Sequence, residues 1–179
     1  KTLHQQRPNV SIAVREGTND FLVPLLHNGD LDFVVGRLPE YRYRKELVQE
    51  VLYKEEAILV CRKDHPLTHR RNIGLEELAS NEWILPPKET SLRRQLEKQF
   101  FDLGIPAPSN PVESISYLTN RFLLQETDMI GIFPRNVGEE ISVSNLAKLD
   151  CKLDIHQSPI GVSYRNESGL SPAASAFLK

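Results

Sequence analysis

A short apolar run, a polar turn and a helix start, together at residues 83–94, most constrain how this chain can fold. Residues 83–85, Trp-Ile-Leu, are typical of a short buried strand. Thr90 or Ser91 follows as a helix N-cap, because a hydroxyl oxygen can accept from the free N–H groups of the first turn. Those N–H groups and the helix dipole favour an anionic or hydroxylated ligand.

The same strand–turn–helix order recurs along the chain and predicts an α/β fold. The pattern predicts strands at residues 10–14, 31–36, 47–53, 55–62, 83–85, 129–133, 153–156 and 160–164. It predicts helices at residues 21–28, 75–79, 92–103, 115–126 and 172–178. Residues 10–36 then form a βαβ unit whose second strand is an inner parallel one. Pro24 means that the first helix either starts late or kinks.

Glycines and an amphipathic pattern define the ends and faces of these helices. Gly29 and Gly104 stand where a helix C-terminus needs a left-handed residue, and Ile105 can fold back on Phe100. In the helix at 92–103, one face is apolar and the other is charged. The apolar face comprises Leu92, Leu96, Phe100 and Leu103, and the charged face comprises Arg93, Glu97 and Lys98.

Composition and charge exclude several classes of protein. A net charge of −2 provides no basic field, so this chain should not hold nucleic acid by itself. No apolar run approaches the length of a membrane span, and residues 1–8 are no signal peptide. Residues 1–8 resemble the end of a helix stopped by Pro8, which predicts that further residues precede them.

Cys61 and Cys151 lie too far apart for a metal motif, and Cys61 should be a buried thiol in a reducing interior.

Polar side chains follow several of the predicted strands. They are Thr18, Arg37, Thr90 with Ser91, and Ser114. In open parallel sheets a ligand lies beyond the carboxyl ends of the strands, so these turns are candidates for a binding site. Alternatively, each hydroxyl only caps its helix. Arg37 can bind a carboxylate through its planar guanidinium, or it can pair with Glu40 inside the protein.

The sequence contains no pattern that predicts catalysis, a cofactor or a metal site. The five histidines are scattered and form no metal-ligand spacing. No nucleophile elbow, phosphate-binding loop or dinucleotide-binding fingerprint occurs in the sequence. We therefore expect a protein without enzymatic activity.

Several segments together resemble the effector-binding domain of LysR-type transcriptional regulators. They are residues 7–10 (Arg-Pro-Asn-Val), 28–36 with Gly29-Asp30-Leu31-Asp32, 64–67 (Asp-His-Pro-Leu), 83–87 and 129–134. Residues 36–39 and 85–87 are most similar to the galactose-binding-protein regulator branch. The resemblance implies a fold of the periplasmic-binding-protein type II kind, with two Rossmann-like lobes joined by two crossover strands. Lobe I would comprise residues 1–63 and 160–179, and lobe II residues 64–159.

The resemblance also implies how such a protein works. A small effector would bind in the cleft between the lobes, at Thr18, Arg37, the turn from Pro87 through Thr90 and Ser91, Ser114 and Phe133. The protein would be a cytoplasmic regulator whose winged helix-turn-helix precedes this chain and alone contacts DNA. The family's first effector-domain strand would precede it as well. The effector stays open among a sugar, a sugar acid and an aromatic or carboxylic metabolite.

The helix at 115–126 carries more apolar residues than one core face needs, and we expect it to form a dimer interface. The interface would contain Tyr117, Leu118, Phe122 and Leu124, in a homodimer that can become a tetramer in the full-length regulator. Alternatively, these side chains fill the core of their own lobe. Two other readings of the whole chain are a stand-alone solute-binding protein and an enzyme on the same fold.

Overall fold

The structure, a computed structural model, describes residues 5, 7–39, 46–140, 145–156, 158–166 and 170–178, with the backbone alone at 138–140. In chain order its elements are α1 (Asn19–Asn28), β1 (Phe33–Arg37), β2 (Leu47–Tyr53), β3 (Ala57–Arg62), a 3-10 turn (Pro66–His69), α2 (Leu75–Leu78), β4 (Trp83–Leu85), α3 (Ser91–Asp102), β5 (Val112–Glu113), α4 (Tyr117–Glu126), β6 (Ile130–Pro134), α5 (Arg135–Glu140), β7 (Leu146–Lys148), β8 (Ile160–Arg165) and α6 (Pro172–Phe177).

The chain divides into two compact units. Unit 1 comprises Lys1–Lys54 and Ser158–Lys179, and unit 2 comprises Glu55–Gln157. The sequence places the first boundary later, after residue 63. The structure places it earlier because β3 pairs with β6 and β7, which both belong to unit 2. The chain thus passes from one unit to the other twice, in agreement with the predicted two-lobe organisation.

Unit 1 contains a three-stranded sheet with α1 packed against it. The strand order is β1-β8-β2, and β8 runs antiparallel to both neighbours. Leu22, Val23 and Leu26 of α1 pack with Val34 and Leu47 in one core cluster. Burial of these aliphatic side chains holds the helix to the sheet, at about 1.5–3 kcal/mol for each one fully buried.

Several predictions for unit 1 are wrong. Residues 10–14 form no strand, and Val14 is 78% exposed. A strand needs a hydrogen-bonded neighbour, and no described strand lies beside this segment. The predicted βαβ unit is therefore not formed, and β1 pairs antiparallel with β8 instead of lying inside a parallel sheet. In α1, Pro24 lies inside a helix that starts at Asn19, so the late start is also wrong.

Unit 2 contains a five-stranded mixed sheet in the order β5-β4-β6-β3-β7. β4 runs parallel to both β5 and β6, while β3 runs antiparallel to β6 and β7. The core on one face includes Trp83, whose indole N–H donates to the carbonyl of Leu78 at 2.9 Å. Phe100 packs edge-on against that ring, with 6.0 Å between the ring centroids.

Most helix ends in unit 2 follow the predicted signals. Gly104 has φ +71°, and the N–H of Ile105 donates to the carbonyl of Phe100, so α3 ends as predicted. By contrast, α4 begins at Tyr117 and not at 115. The predicted strand at 153–156 is absent from the described residues there, and β7 takes the edge of the sheet instead.

Candidate functional site

Two of the predicted turns meet at one edge of the sheet in unit 2. The neighbouring strands β4 and β5 are parallel, and Leu85 at the end of β4 pairs with Glu113 at the end of β5. The N–H of Ser114 donates to the carbonyl of Leu85 at 3.0 Å, which joins the two strand ends directly. We call residues 86–91 and 114–116 the strand-end site. Because α3 and α4 both begin there, two helix N-termini lie at the same edge of the sheet.

Thr90 is the N-cap of α3, as one of the two predicted alternatives has it. Its Oγ1 accepts from the N–H of Arg93 at 3.3 Å and donates to the carbonyl of Pro87 at 2.7 Å. The single hydroxyl proton of Thr90 is therefore committed to the turn. For this residue, capping explains the hydroxyl without a ligand.

Ser91 differs from Thr90 although it is the next residue. It is the first residue of α3 and is half-buried, and its hydroxyl forms no hydrogen bond to the described part of the chain. Its own N–H belongs to the first turn, whose donors have no partner within the helix. Ser91 can therefore offer a ligand a hydroxyl and a backbone donor together.

Ser114 does not cap α4, because Ser116 does. The Oγ of Ser116 accepts from the N–H of Thr119, whereas the Oγ of Ser114 accepts from the N–H of Ser116 at 3.1 Å. The hydroxyl proton of Ser114 is thus not needed for capping. Below this loop, Asn120 donates to the carbonyl of Ser114, and its own Oδ1 has no partner among the described residues.

Phe133 lies in the core of unit 2 and is only 5% exposed. It packs in a cluster with Leu124, Ile58 and Val60. A Cβ built on Gly131 would come within 2.6 Å of the Phe133 ring, so the glycine makes room for it. Phe133 lies near the carboxyl end of β6. Because β6 runs parallel to β4, that end is at the same edge of the sheet as the strand-end site.

Arg93 is a residue that the helical pattern places on the wrong face. The pattern predicts a charged outer face, but Arg93 is 2% exposed. Its Nε donates to Glu97 at 2.5 Å and its NH1 to the carbonyl of Pro86 at 3.3 Å. The spacing of four residues to Glu97 is the one sequence signal that could have indicated this pair.

Thr18 and Arg37 lie together in unit 1. The side-chain N–H of Asn19, next to Thr18, donates to the carbonyl of Arg37 at 3.0 Å. The N-terminus of α1 therefore lies at the carboxyl end of β1. Thr18 occupies the N-cap position, yet its side chain makes no capping bond. The guanidinium of Arg37 donates to the carbonyl of Ser158 at 3.1 Å. The alternative partner Glu40 lies outside the described residues.

The outer face of α4 carries large apolar side chains. The exposed fraction is 73% for Leu118, 64% for Phe122 and 37% for Tyr117. The prediction for Leu124 is wrong, because this side chain is completely buried in the core of unit 2 and cannot belong to a surface. The exposed part of the predicted interface is therefore Tyr117, Leu118 and Phe122.

The two cysteines of unit 2 are poor nucleophiles. Burial raises the pKa of the Cys61 thiol to about 12 and that of Cys151 to about 11. Both thiols therefore stay protonated near neutral pH and react poorly. Within the described ranges, no three His, Cys, Asp or Glu side chains are grouped as metal ligands would be.

No described helix has the length and apolar character to cross a membrane.

Comparison with known proteins identifies the family of this chain. The family model described as LysR substrate binding domain matches residues 1–179. The chain is 33% identical over 174 residues to the HTH-type transcriptional regulator GalR of Pseudomonas putida, covering 97% of this chain and 44% of that protein. It is 29% identical to the HTH-type transcriptional regulator GbpR of Azospirillum brasilense, covering 99% of this chain and 52% of that protein. The chain thus spans about half the length of these relatives.

Solved structures show the same fold at lower identity. The regulatory domain of Synechocystis CcmR in complex with 2-PG superposes with a TM-score of 0.80 at 17% identity, covering 99% of this chain and 84% of that one. The effector-binding domain of QuiR in complex with shikimate gives 0.77 at 19%, covering 99% and 83%. The predicted two-lobe α/β fold of the periplasmic-binding-protein type II kind is therefore confirmed. By its family match and its relatives, this chain belongs to the LysR substrate-binding domain family.

Proposed function

We propose that this chain is the effector-sensing part of a longer, cytoplasmic HTH-type transcriptional regulator and has no enzymatic activity. Two observations support the proposal. The curated relatives are HTH-type transcriptional regulators of about twice this length. The thiols of Cys61 and Cys151 stay protonated near neutral pH, because burial raises their pKa to about 12 and about 11, and are therefore poor nucleophiles. In this proposal, DNA is bound by another part of the regulator, and effector binding here changes that activity.

The strand-end site of unit 2 is the observation that carries the proposal. It combines two helix N-termini with hydroxyls on Ser91 and Ser114 that capping does not consume. Helix N-termini favour negative charge, and hydroxyls favour a polar partner that can both donate and accept. We therefore propose a small hydroxylated acid, such as a sugar acid, as the effector. Two similar proteins of known structure, CcmR and QuiR, were solved in complex with 2-phosphoglycolate and shikimate, which are both small oxygen-rich acids.

Other predicted residues join this proposal with different roles. Thr18 and Arg37 of unit 1 supply a hydroxyl and a guanidinium at a second strand end. Pro87 and Thr90 shape the turn of the strand-end site, and Phe133 supports the sheet beneath it. The location of the effector between the lobes stays a prediction.

A thermal-shift screen tests the proposed function. The protein is heated with sugars, sugar acids and aromatic acids, each in large excess. A ligand present at 100 times its dissociation constant stabilises the folded state by about 2.7 kcal/mol, which raises the melting temperature by roughly 5–10 °C. The proposal fails if no compound raises it. Chemical conversion of a bound compound, followed by NMR, would favour an enzyme instead.

We also propose that the protein forms a homodimer through the exposed face of α4. Leu118 and Phe122 place large apolar side chains in water, and Tyr117 lies beside them on the same helix. Exposed apolar patches of this kind are typical of protein–protein contacts. A second copy of the chain is a suitable partner, because a two-fold contact needs only one self-complementary patch.

A further inference from the structure

The guanidinium of Arg93 is buried at the start of α3, directly beneath the turn of the strand-end site. With 2% exposure, this charged group has left water almost completely. Removing an unpaired charge from water costs several kcal/mol, so a buried arginine needs partners that satisfy it. Glu97, one helical turn away, supplies the opposite charge at 2.5 Å from Nε.

The remaining contacts of Arg93 go to the turn itself. Its NH1 donates to the carbonyl of Pro86, where the turn begins. Its backbone N–H donates to Oγ1 of Thr90, where the turn ends. The side chain of Arg93 therefore binds the start of the 86–90 turn, and its backbone N–H, which a substitution retains, binds the end. Pro86 and Pro87 leave the turn few backbone donors of its own, because proline has no N–H.

We propose that Arg93 is a positioning residue that fixes the 86–90 turn in the shape needed to bind the effector. The inference rests on the proposed function, because it assigns a role within the same strand-end site. The fork geometry of the guanidinium is essential, since Nε and NH1 reach Glu97 and Pro86 at the same time. A lysine ammonium is a single point and cannot reproduce both contacts from the same position.

Two nearby residues provide matched controls. Arg94 also donates to a carbonyl of the turn, that of Glu89, but this hydrogen bond is exposed and water can replace it. Arg94→Met therefore removes the same charge without releasing the turn. Leu96 lies in the core on the same helix, so Leu96→Val lowers stability without touching the turn.

The experiment compares Arg93→Met and Arg93→Lys with the two controls in two measurements. The first is hydrogen exchange at the N–H of Thr90, which donates to the carbonyl of Pro87 and reports on the turn without any ligand. The second is the affinity for D-galactonate and for shikimate, measured by calorimetry on folded protein. Loss of a hydrogen bond from a charged group predicts about tenfold faster exchange and about tenfold weaker binding for both Arg93 variants.

Each outcome decides the inference. The inference is supported if the Arg93 variants show faster exchange and weaker binding and if Arg94→Met and Leu96→Val show neither change. If the N–H of Thr90 exchanges as slowly in the Arg93 variants as in the wild type, the inference is wrong, whatever the affinity. If the wild type binds neither compound, the proposed ligand class fails, and exchange alone decides the role of Arg93. If Arg93→Met does not fold, Arg93→Lys carries both measurements.

Discussion

Thr90 and Ser91 are neighbours in the chain with different hydrogen-bonding duties. The hydroxyl of Thr90 holds the N–H of Arg93 and the carbonyl of Pro87, while that of Ser91 has no partner among the described residues. A cap contributes to stability, and an unused hydroxyl can contribute to binding. Separate substitutions should therefore separate the two properties.

Thr90→Ala should lower the free energy of unfolding by about 1 kcal/mol, because the N-cap bond is lost. Ser91→Ala should leave the free energy of unfolding within about 0.5 kcal/mol of the wild type and weaken effector binding by about 1 kcal/mol. Urea denaturation and calorimetric titration measure the two quantities. Equal loss of stability in both variants would mean that Ser91 is structural.

The buried thiol of Cys61 predicts how stability depends on pH. Burial raises its pKa from the ordinary 9.0 to about 12, so the folded protein keeps a proton that the unfolded chain loses. The unfolded state then binds fewer protons, and the free energy of unfolding falls as the pH rises above 9.0. Cys61→Ala should flatten this fall in urea denaturation at alkaline pH. An unchanged slope would show that another group causes the loss.

Single residues were the hardest part of the site to predict from sequence. Hydroxyls after strands predicted the turns where helices begin, because capping chemistry is local and visible in the sequence. Which hydroxyl caps depends on where the helix begins, and a shift of two residues exchanged Ser114 for Ser116. The helical pattern placed Arg93 on the outer face because it sorts residues by polarity alone. A buried arginine with an ion-pair partner such as Glu97 is an exception to that pattern.

At the scale of elements, α4 has two apolar faces with different partners. Leu124 packs in the core with Phe133 and beside Gly131, while Phe122 lies in water on the opposite side. The sequence shows the wide apolar arc but not which residues face inward. That assignment depends on the rotation of the helix, which the exact helix start and the packing against β3 determine.

Leu124→Ala should lower the free energy of unfolding by about 2–5 kcal/mol, because it leaves a cavity in the core. Phe122→Ala should change it by less than about 1 kcal/mol in dilute protein, where no contact to a second copy forms. Urea denaturation at low protein concentration measures both variants. Similar losses in the two would contradict the assignment of the two faces.

Strands were predicted well where their neighbours belong to the described chain. β3, β4 and β6 lie close to their predicted positions and pair with one another through continuous apolar runs. Residues 10–14 have the alternating pattern of a strand and yet form none, because pattern alone does not provide a neighbour. β7 was missed because only three residues form it, at the edge of the sheet.

For the whole molecule, the outer face of α4 predicts self-association. Phe122→Asp or Tyr117→Asp should give a folded monomer where the wild type is a dimer, because a charge in an apolar contact is costly. Sedimentation velocity at tens of micromolar compares the three proteins, and circular dichroism checks that the variants fold. A wild type that sediments as a monomer would count against the proposed contact.

Binding of a small acid by the strand-end site is the central claim, and one titration tests it most directly. The compound that gives the largest thermal shift is titrated by calorimetry into the wild type and into the double variant Ser91→Ala with Ser114→Ala. We expect saturable binding to the wild type and an affinity lower by about tenfold or more in the double variant, since each lost hydrogen bond contributes about 1 kcal/mol. Equal affinity in the two proteins, or no binding to the wild type, would contradict the account.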